Sequence, residues 1–283
     1  MTRRGQWPAA PEALPSPIVD NHCHLEYPAG DEQRSVEERL AEAASAGVTR
    51  VVQIGCDVES ARWTADAVTR FPAMLGGVAL HPNDAPMHVA GTHDTGLTYE
   101  DAFAEIAALA RGERIRVVGE TGLDFFRTGP EGRDAQVRSF RDHIALAKEL
   151  DLPLQIHDRD AHAEVIDVLE RDGAPERTVF HCFSGDAAMA RLCVHRGWYL
   201  SFAGTVTFKN AAQLRAAAAV TPPSLTLIET DAPFLTPHPH RGAPNAPAQA
   251  ATTIREVARV QEAALDDLCA AVRKNSEELY GPW

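Results

Sequence analysis

Eight short segments rich in Val, Ile and Leu alternate with longer segments of helical periodicity along almost the whole chain. The short segments predict strands near residues 17–22, 49–55, 74–80, 115–120, 152–157, 177–181, 197–202 and 225–230. The longer ones predict helices near 35–46, 58–70, 98–111, 132–150, 160–172, 186–196 and 209–219, with two more near 247–263 and 265–279. The strands are apolar on both faces, which is typical of a buried parallel sheet. Repeated β–α units of this kind favour the α/β class and a single (β/α)8 TIM barrel over an open doubly wound sheet.

Side chains that bind metals lie at the carboxyl ends of these predicted strands. They are His22, His24, Glu120, His157, His181 and Asp231. In a parallel barrel the carboxyl ends share one rim, which is where active sites of such barrels lie. An open sheet would not bring the first and last strands to one centre. Imidazoles and carboxylates gathered on one rim indicate a divalent-metal site built for hydrolysis.

The segment His22-Cys23-His24 is the strongest single motif. Alternate residues of a strand point to the same face, so the two imidazoles form a clamp and Cys23 turns away. Asp20 shares the face of the imidazoles and is predicted to accept a hydrogen bond from one of them. The alternative is a pair of exposed loop histidines.

The remaining predicted ligands come from four other strands. Glu120 lies between glycines after an apolar strand, where a carboxylate is costly to bury unless it is paired or bound to metal. We expect it to bridge two metals; a helix cap or a surface acid is the alternative. His157 and His181 end neighbouring strands, which favours metal binding over two isolated histidines. Asp231 is expected to bind metal and to take the proton of the attacking water.

Charge and composition exclude several classes of protein. The net charge of −13 argues against wrapping around duplex DNA, which needs clustered Lys and Arg. It leaves a phosphate substrate open, because bound metals add positive charge. No apolar run reaches 18 residues, so we expect no transmembrane helix and no membrane partner. The five cysteines are odd in number and lack a CxxC pair, which favours reduced thiols in a cytoplasmic protein.

The chain of 283 residues can form the barrel as one domain. We place that domain at residues 16–283, after a flexible Pro- and Ala-rich tail at 1–15. Two long loops, 82–98 after strand three and 233–247 after strand eight, are candidate functional loops. No stable protein partner is inferred.

Other polar residues have weaker signals. His81 ends strand three and is a candidate substrate contact, and the guanidinium fork of Arg159 is suited to hold a phosphate. Asp160 is predicted to cap the next helix. Asp124 is a candidate helix cap or indirect support for the metal ligands. The histidines predicted to lie on the solvated surface are His88, His93, His143, His162, His195, His238 and His240.

Seven segments resemble the TatD family of metal-dependent deoxyribonucleases, within the amidohydrolase-like barrels. They are DNHCHL, HPNDAP, GETGLDFF, QIHDRDA, HCFSG, TVTFKNA and ETDAPFLTPHPHRGAPNAP, in this order between residues 20 and 247. The resemblance implies a (β/α)8 barrel with two divalent metal ions, for which Zn, Mn and Mg are candidates. One metal would be held by His22, His24, Glu120 and Asp231, and the other by Glu120, His157 and His181.

The resemblance also implies a reaction. Family members degrade DNA, notably from the 3′ end of single strands, so the expected activity is a 3′–5′ exonuclease and the expected partner is a single-stranded DNA end. Asp231 and Glu120 are the expected catalytic residues. The candidate substrate-binding residues are His81, Arg159, Lys209, Arg241 and Asn245, and Phe125 or Phe126 is a candidate stacking surface for a base.

Two departures from the family pattern concern nucleotide contacts. Asn83 stands where the family often has histidine, and Phe125-Phe126 stands where it often has tyrosine. Two other functions remain open. One is a small-molecule amidohydrolase or esterase on the same barrel, although relatives of that kind often carry a carbamylated lysine where Glu120 stands. The other is a non-catalytic nucleic-acid-binding protein, which the complete ligand set and the acidic surface disfavour.

Overall fold

The computed structural model describes residues 5–283 and contains eight strands and ten α-helices within that range. The strands are β1 Ile18–Cys23, β2 Val48–Gly55, β3 Met74–Val78, β4 Ile115–Asp124, β5 Leu154–Arg159, β6 Thr178–Phe180, β7 Tyr199–Phe202 and β8 Thr226–Ile228. The helices are α1 Val36–Ser45, α2 Val58–Arg70, α3 Ala85–Val89, α4 Tyr99–Leu109, α5 Pro130–Leu150, α6 His162–Asp172, α7 Ala187–His195, α8 Ala212–Val220, α9 Ala250–Val260 and α10 Leu265–Tyr280. No helix in residues 5–283 has the length and apolar character needed to cross a bilayer.

The eight strands form one sheet in the order β1 to β8. The described pairings, such as β3 with β4 and β7 with β8, are parallel. Cys23, the last residue of β1, and Ala232, which follows β8, form a further parallel bridge. The chain therefore has the predicted (β/α)8 fold, with α-helices between successive strands.

Contacts divide the chain into two compact units. Unit 1 contains residues up to Gln53 together with Cys182–Trp283, and unit 2 contains Ile54–His181. The core of unit 1 includes buried Ile18, Phe202 and Ile254, and that of unit 2 includes buried Leu123, Phe140 and Ile156. Each unit carries part of the predicted ligand set.

Several helices begin where the sequence offers a capping side chain. Ser35 accepts a hydrogen bond from the backbone of Glu38, and the Glu38 carboxylate accepts one from Ser35, which forms a capping box before α1. Asp57 and Asp186 cap α2 and α7 in a similar way. The prediction for Asp160 is wrong: α6 follows Ala161 and has no side-chain cap, while Asp160 is exposed with a φ of 55°.

Unit 2 departs from the sequence prediction within loop 82–98, which contains the short helix α3. Two histidines predicted to be solvated are buried, His88 with 2% exposure and His143 with none. His143 lies on α5 between Phe140 and Ala147 in the buried stripe of the helix. Its Nε2 accepts a hydrogen bond from the Leu80 amide, and its Nδ1 lies 2.7 Å from the Ser139 carbonyl. A neutral imidazole satisfies both partners, so burial is possible.

The predicted N-terminal tail makes regular contacts within unit 1. Residues 1–4 lie outside the described residues. The amide of Gly5 donates to the Asp31 carboxylate, and the amide of Leu14 donates to the Ala46 carbonyl. Arg255 also donates to the Glu12 carbonyl. These bonds hold residues 5–14 in place, unlike the loose tail expected from the sequence.

Candidate metal-binding sites

Three predicted ligands come together in unit 1 at the carboxyl ends of β1 and β8. The Nε2 atoms of His22 and His24 are 3.1 Å apart. The Oδ1 atom of Asp231 lies 3.3 Å from Nε2 of His24 and 3.8 Å from Nε2 of His22. We call these three residues the unit 1 donor set.

The spacing of the unit 1 donor set fits a small divalent cation. Nitrogen and oxygen ligands lie about 2.0–2.2 Å from zinc, so two ligands of a tetrahedral ion are about 3.4 Å apart. The three observed separations, 3.1, 3.3 and 3.8 Å, fall around that value. Both histidine rings are buried, and their Nε2 atoms face each other and the carboxylate. The donor chemistry and the spacing therefore agree.

A buried hydrogen-bond network fixes the backbone around this set. Asp20 accepts hydrogen bonds from the amide of His22 and from both the amide and the hydroxyl of Thr230. It therefore ties β1 to the segment after β8, while its predicted bond to an imidazole stays a prediction. Burial raises the pKa of Asp20 to about 8 against the opposing effect of the Thr230 bonds.

Asp231 takes its position from an unusual backbone conformation. Its φ is 54°, in the left-handed region, and its amide donates to the His22 carbonyl at 2.9 Å. Its own carbonyl accepts from the amide of Phe234 at 2.8 Å. A non-glycine residue pays for that conformation in strain, which the surrounding bonds offset. The carboxylate consequently points toward the two imidazoles.

The other predicted ligands come together in unit 2 around Glu120. Its Oε2 atom lies 2.7 Å from Nε2 of His181 and 3.0 Å from Nδ1 of His157. We call Glu120, His157 and His181 the unit 2 donor set. Each is mostly buried, so the oxygen shared by two imidazole nitrogens is shielded from solvent.

Two glycines allow β4 to pass close to β5 beside Glu120. A Cβ atom on Gly122 would lie 2.1 Å from the His157 carbonyl oxygen, and one on Gly119 would lie 2.6 Å from Cβ of Gln155. Gly122 also has a φ of +138°. Because the strands continue to pair as far as Asp124 and Arg159, Glu120 lies inside β4 and not at its end as predicted.

The charges in unit 2 balance each other. Burial opposes ionisation of Glu120, but the neighbouring His181 and His157 outweigh it and hold the pKa of the carboxyl well below its usual range. Burial also opposes protonation of His157, yet hydrogen bonds to Asp124 and Glu120 raise its pKa. The carboxylate is therefore ionised beside imidazole nitrogens, and a divalent cation would bind there in competition with the proton on His157.

Asp124 supports the far side of His157. Its Oδ2 lies 3.3 Å from Nε2 of His157 and accepts a hydrogen bond from the Asn83 amide group at 3.1 Å. Its Oδ1 accepts from the Arg127 backbone amide at 2.8 Å. A carboxylate on one ring nitrogen leaves the other, Nδ1, directed at Glu120. Asn83 in turn accepts a hydrogen bond from the Thr128 hydroxyl. This residue, which departs from the family pattern, therefore helps to hold Asp124 beside the candidate ligand His157.

His81 is held as a hydrogen-bond donor beside Glu120. The backbone amide of Asn83 donates to Nδ1 of His81 at 3.1 Å, so the neutral ring carries its proton on Nε2. That nitrogen lies 3.8 Å from Oε2 of Glu120. Burial, against the opposing charge of Glu120, lowers the pKa of His81 to about 3. His81 also belongs, with Glu120 and His157, to a group that could hold a metal ion, and its role as a substrate contact stays a prediction.

Cys56 is a neighbour of Glu120 that the sequence analysis missed. Its Sγ lies 3.1 Å from Oε1 of Glu120. The backbone of Cys56 donates to the Ser60 hydroxyl and accepts from the amide of His81. Cys56 directly follows β2, so the same rule that identified the histidines, a polar or metal-binding residue at the end of a strand, could have identified Cys56 as well.

The predicted phosphate contacts differ in their exposure to solvent. Lys209 and Arg241 are exposed in unit 1, and Arg159 is half-buried at the end of β5. The prediction for Asn245 is wrong, because the residue is fully buried and its amide donates to the carbonyls of Thr230 and Phe234. Asn245 therefore shapes the loop after β8.

Comparisons with known proteins show the family to which this chain is related. A sequence model of the family described as TatD related DNase matches residues 19–281. An uncharacterized metal-dependent hydrolase TatD of Mycobacterium tuberculosis is 41% identical over 268 residues, covering 93% of this chain and 98% of that protein. The uncharacterized metal-dependent hydrolase YabD of Bacillus subtilis is 34% identical over the same shares of both chains. The crystal structure of YjjV, a TatD homologue from Escherichia coli, matches with a TM-score of 0.84 at 26% identity, covering 94% of this chain and 98% of that one.

Proposed function

Because the chain belongs to the TatD-related DNase family of metal-dependent hydrolases, we propose that it removes nucleotides from the 3′ end of single-stranded DNA. The observation that carries the proposal is the pair of donor sets. In unit 1, His22, His24 and Asp231 have ligand atoms close enough together to hold one divalent ion. In unit 2, the Glu120 carboxylate lies within 3.0 Å of nitrogens of both His157 and His181. The prediction that Glu120 serves both metals stays a prediction.

The chemistry proposed is hydrolysis of a phosphodiester by water. Divalent cations at the donor sets would supply positive charge to the phosphate and make water more acidic. Asp231 is the proposed general base, because its carboxylate is 15% exposed and so remains accessible to water. The water oxygen forms a bond to phosphorus as the P–O3′ bond breaks, and a carboxylate oxygen of Asp231 takes the proton of the water. The released 3′ oxygen then takes up a proton, which Asp231 or solvent supplies, to form the new 3′ hydroxyl.

The residues of unit 2 are proposed to bind a cation and to orient the phosphate. Glu120 would supply the negative charge that holds a cation beside the imidazoles. Nε2–H of His81 is the proposed donor to a phosphate oxygen, and the guanidinium of Arg159 is the proposed second donor. Lys209 and Arg241 are the exposed cations proposed to contact phosphates further along the strand.

The preference for strand ends rests on charge. A chain with net charge −13 repels distant phosphates, so binding depends on the few nucleotides nearest the cations. Long duplex DNA would gain little from such a surface, and few counterions would be released on binding. We therefore expect a shallow dependence of DNA affinity on salt concentration.

One assay tests the proposal. Purified protein is incubated with 3′-labelled, 5′-labelled and circular single strands, with duplex DNA and with a p-nitrophenyl ester, in Mn, Zn or Mg after chelation. We expect stepwise loss of 3′ nucleotides that needs added metal, and slow cutting of circles and duplex. Asp231→Asn should be inactive, whereas the exposed control Asp94→Asn should match the wild type. Rapid cutting of circles, or turnover of the ester alone, would contradict the proposal.

A further inference from the structure

Phe126 is an exposed aromatic side chain directly beyond β4. It is 61% exposed, more than the other exposed large hydrophobic residues among those described, Val89 at 51% and Met87 at 39%. Ordinary core packing, the alternative use of a phenylalanine, therefore does not account for it. A single exposed aromatic ring is also too small a patch for a stable protein interface.

The ring of Phe126 is supported on one side by a cation. The guanidinium carbon of Arg159 lies 4.0 Å from the ring centroid, a cation–π contact. The amide of Phe125 donates to the Arg159 carbonyl at 2.9 Å, which fixes the backbone between the pair. With one face against Arg159 and the side chain mostly in solvent, the other face is open to a flat ligand.

The pair lies close to the unit 2 donor set along both strands. Arg159 is two residues beyond His157 on β5, so the two side chains share one side of the strand and their Cα atoms are about 6.6 Å apart. On β4, Asp124, which contacts His157, lies two residues before Phe126. A nucleotide whose phosphate lies at the donor set would therefore have its base within reach of the ring.

The surrounding charge also favours a nucleotide. Arg127 and Arg133 are exposed next to this ring, and Arg133 covers Phe125 with its guanidinium carbon 4.1 Å from the centroid. Arg133 and Arg159 each place a guanidinium against one of the two adjacent phenylalanine rings, Phe125 and Phe126. Flat bases stack on aromatic rings while guanidinium groups bind phosphates, which is how single-stranded DNA is commonly held.

We propose that Phe126, backed by Arg159, is a stacking platform for the base of the terminal nucleotide of the DNA strand. This inference rests on the proposed function and adds the residue that binds the base. Stacking does not read hydrogen-bonding groups, so the platform accepts all four bases with modest preferences. Loss of one base–aromatic stack lowers affinity by about 5- to 150-fold.

The test uses a ligand without a scissile bond. Binding of 2-aminopurine deoxyribonucleoside 5′-monophosphate to the metal-loaded protein is followed by quenching of the base fluorescence, and deoxyribose 5-phosphate is the ligand that lacks a base. We expect the wild type and Phe126→Trp to bind the nucleotide at least about 5-fold more tightly than the sugar phosphate, with quenching. Phe126→Ala should bind both ligands equally. Arg138→Gln, which removes an arginine from above Tyr99 elsewhere in unit 2, is the matched control and should match the wild type.

The outcomes separate this inference from the proposed function. If Phe126→Ala keeps the preference for the nucleotide and the quenching, the platform is wrong even where the enzyme degrades DNA. If the wild type prefers and quenches the nucleotide but leaves DNA intact, the platform stands and the exonuclease does not. Equal binding of both ligands by the wild type would also overturn the platform.

Discussion

Asp124→Asn tests how the unit 2 donor set is held together. Asp124 is 1% exposed, and its two oxygens face three groups: the Arg127 amide, the Asn83 side-chain amide and Nε2 of His157. An asparagine has only one acceptor oxygen, and its NH2 group must face at least one of these donors. The substitution keeps the shape and removes both the charge and one acceptor.

The magnitude follows from that count. A buried donor that loses its acceptor costs about 1–3 kcal/mol, and each 1.4 kcal/mol is a factor of ten in an equilibrium constant. Removal of a carboxylate behind a metal-binding histidine commonly weakens metal binding by about 10- to 100-fold. We therefore expect Asp124→Asn to reduce the affinity for one of the two metals by about that range, with a parallel loss of rate at limiting metal.

Competition with a chromophoric chelator measures this affinity without any substrate. Asp158→Asn is the matched control, because Asp158 is the next residue on β5 and pairs with His162, which is not a predicted ligand. The control should bind metal as the wild type does. If Asp124→Asn retains both affinities, then Asp124 does not orient His157 toward a metal.

Four further predictions follow from the same contacts. Glu120→Gln should lower the rate by more than about 100-fold while circular dichroism stays native, because charge is lost and shape is kept; a wild-type rate at limiting metal would refute the role of Glu120. Cys56→Ala should lower the free energy of unfolding of the metal-free protein by about 1 kcal/mol in urea, and Cys56→Ser should restore most of it, since the thiol donates to Glu120. Burial lowers the pKa of His143 from 6.5 to about 4, so as the pH falls the unfolded chain binds a proton before the folded protein does. Between pH 6.5 and 4, the free energy of unfolding of the wild type, measured by urea titration, should therefore fall by about 3 kcal/mol relative to that of His143→Gln. His81→Phe should raise KM for DNA more than tenfold and leave metal affinity unchanged in chelator competition, because its Nε2–H is assigned to substrate.

The repeated pattern of the sequence predicted the architecture well. Apolar strands followed by amphipathic helices identified the fold, and strand-end chemistry identified residues that the structure brings together within each unit. The pattern of apolar residues was less informative about where a strand ends, because strand pairing can continue beyond the apolar residues. β4 extends to Asp124 through two glycines, and only the close approach to β5 explains why.

Single polar residues were the main source of error. His143 lies between Phe140 and Ala147 on the buried stripe of α5. Its position on the helix indicated burial, but a histidine is usually expected at the surface, and it was therefore predicted to be solvated. Asn245 lies in a polar loop but satisfies two backbone carbonyls that a folded loop buries. Asn83 supports Asp124 across 41 residues of sequence, and local patterns contain no trace of such a contact.

The number of metal ions bound per chain tests the central claim most directly. Native mass spectrometry of the metal-loaded protein should show two divalent ions on the wild type and on His195→Ala, whose histidine is exposed on α7. His24→Ala should retain one ion through the unit 2 donor set, and His157→Ala should retain one through the unit 1 donor set. A wild type that binds no ions, or variants that both keep two, would contradict the assignment of a metal to each donor set.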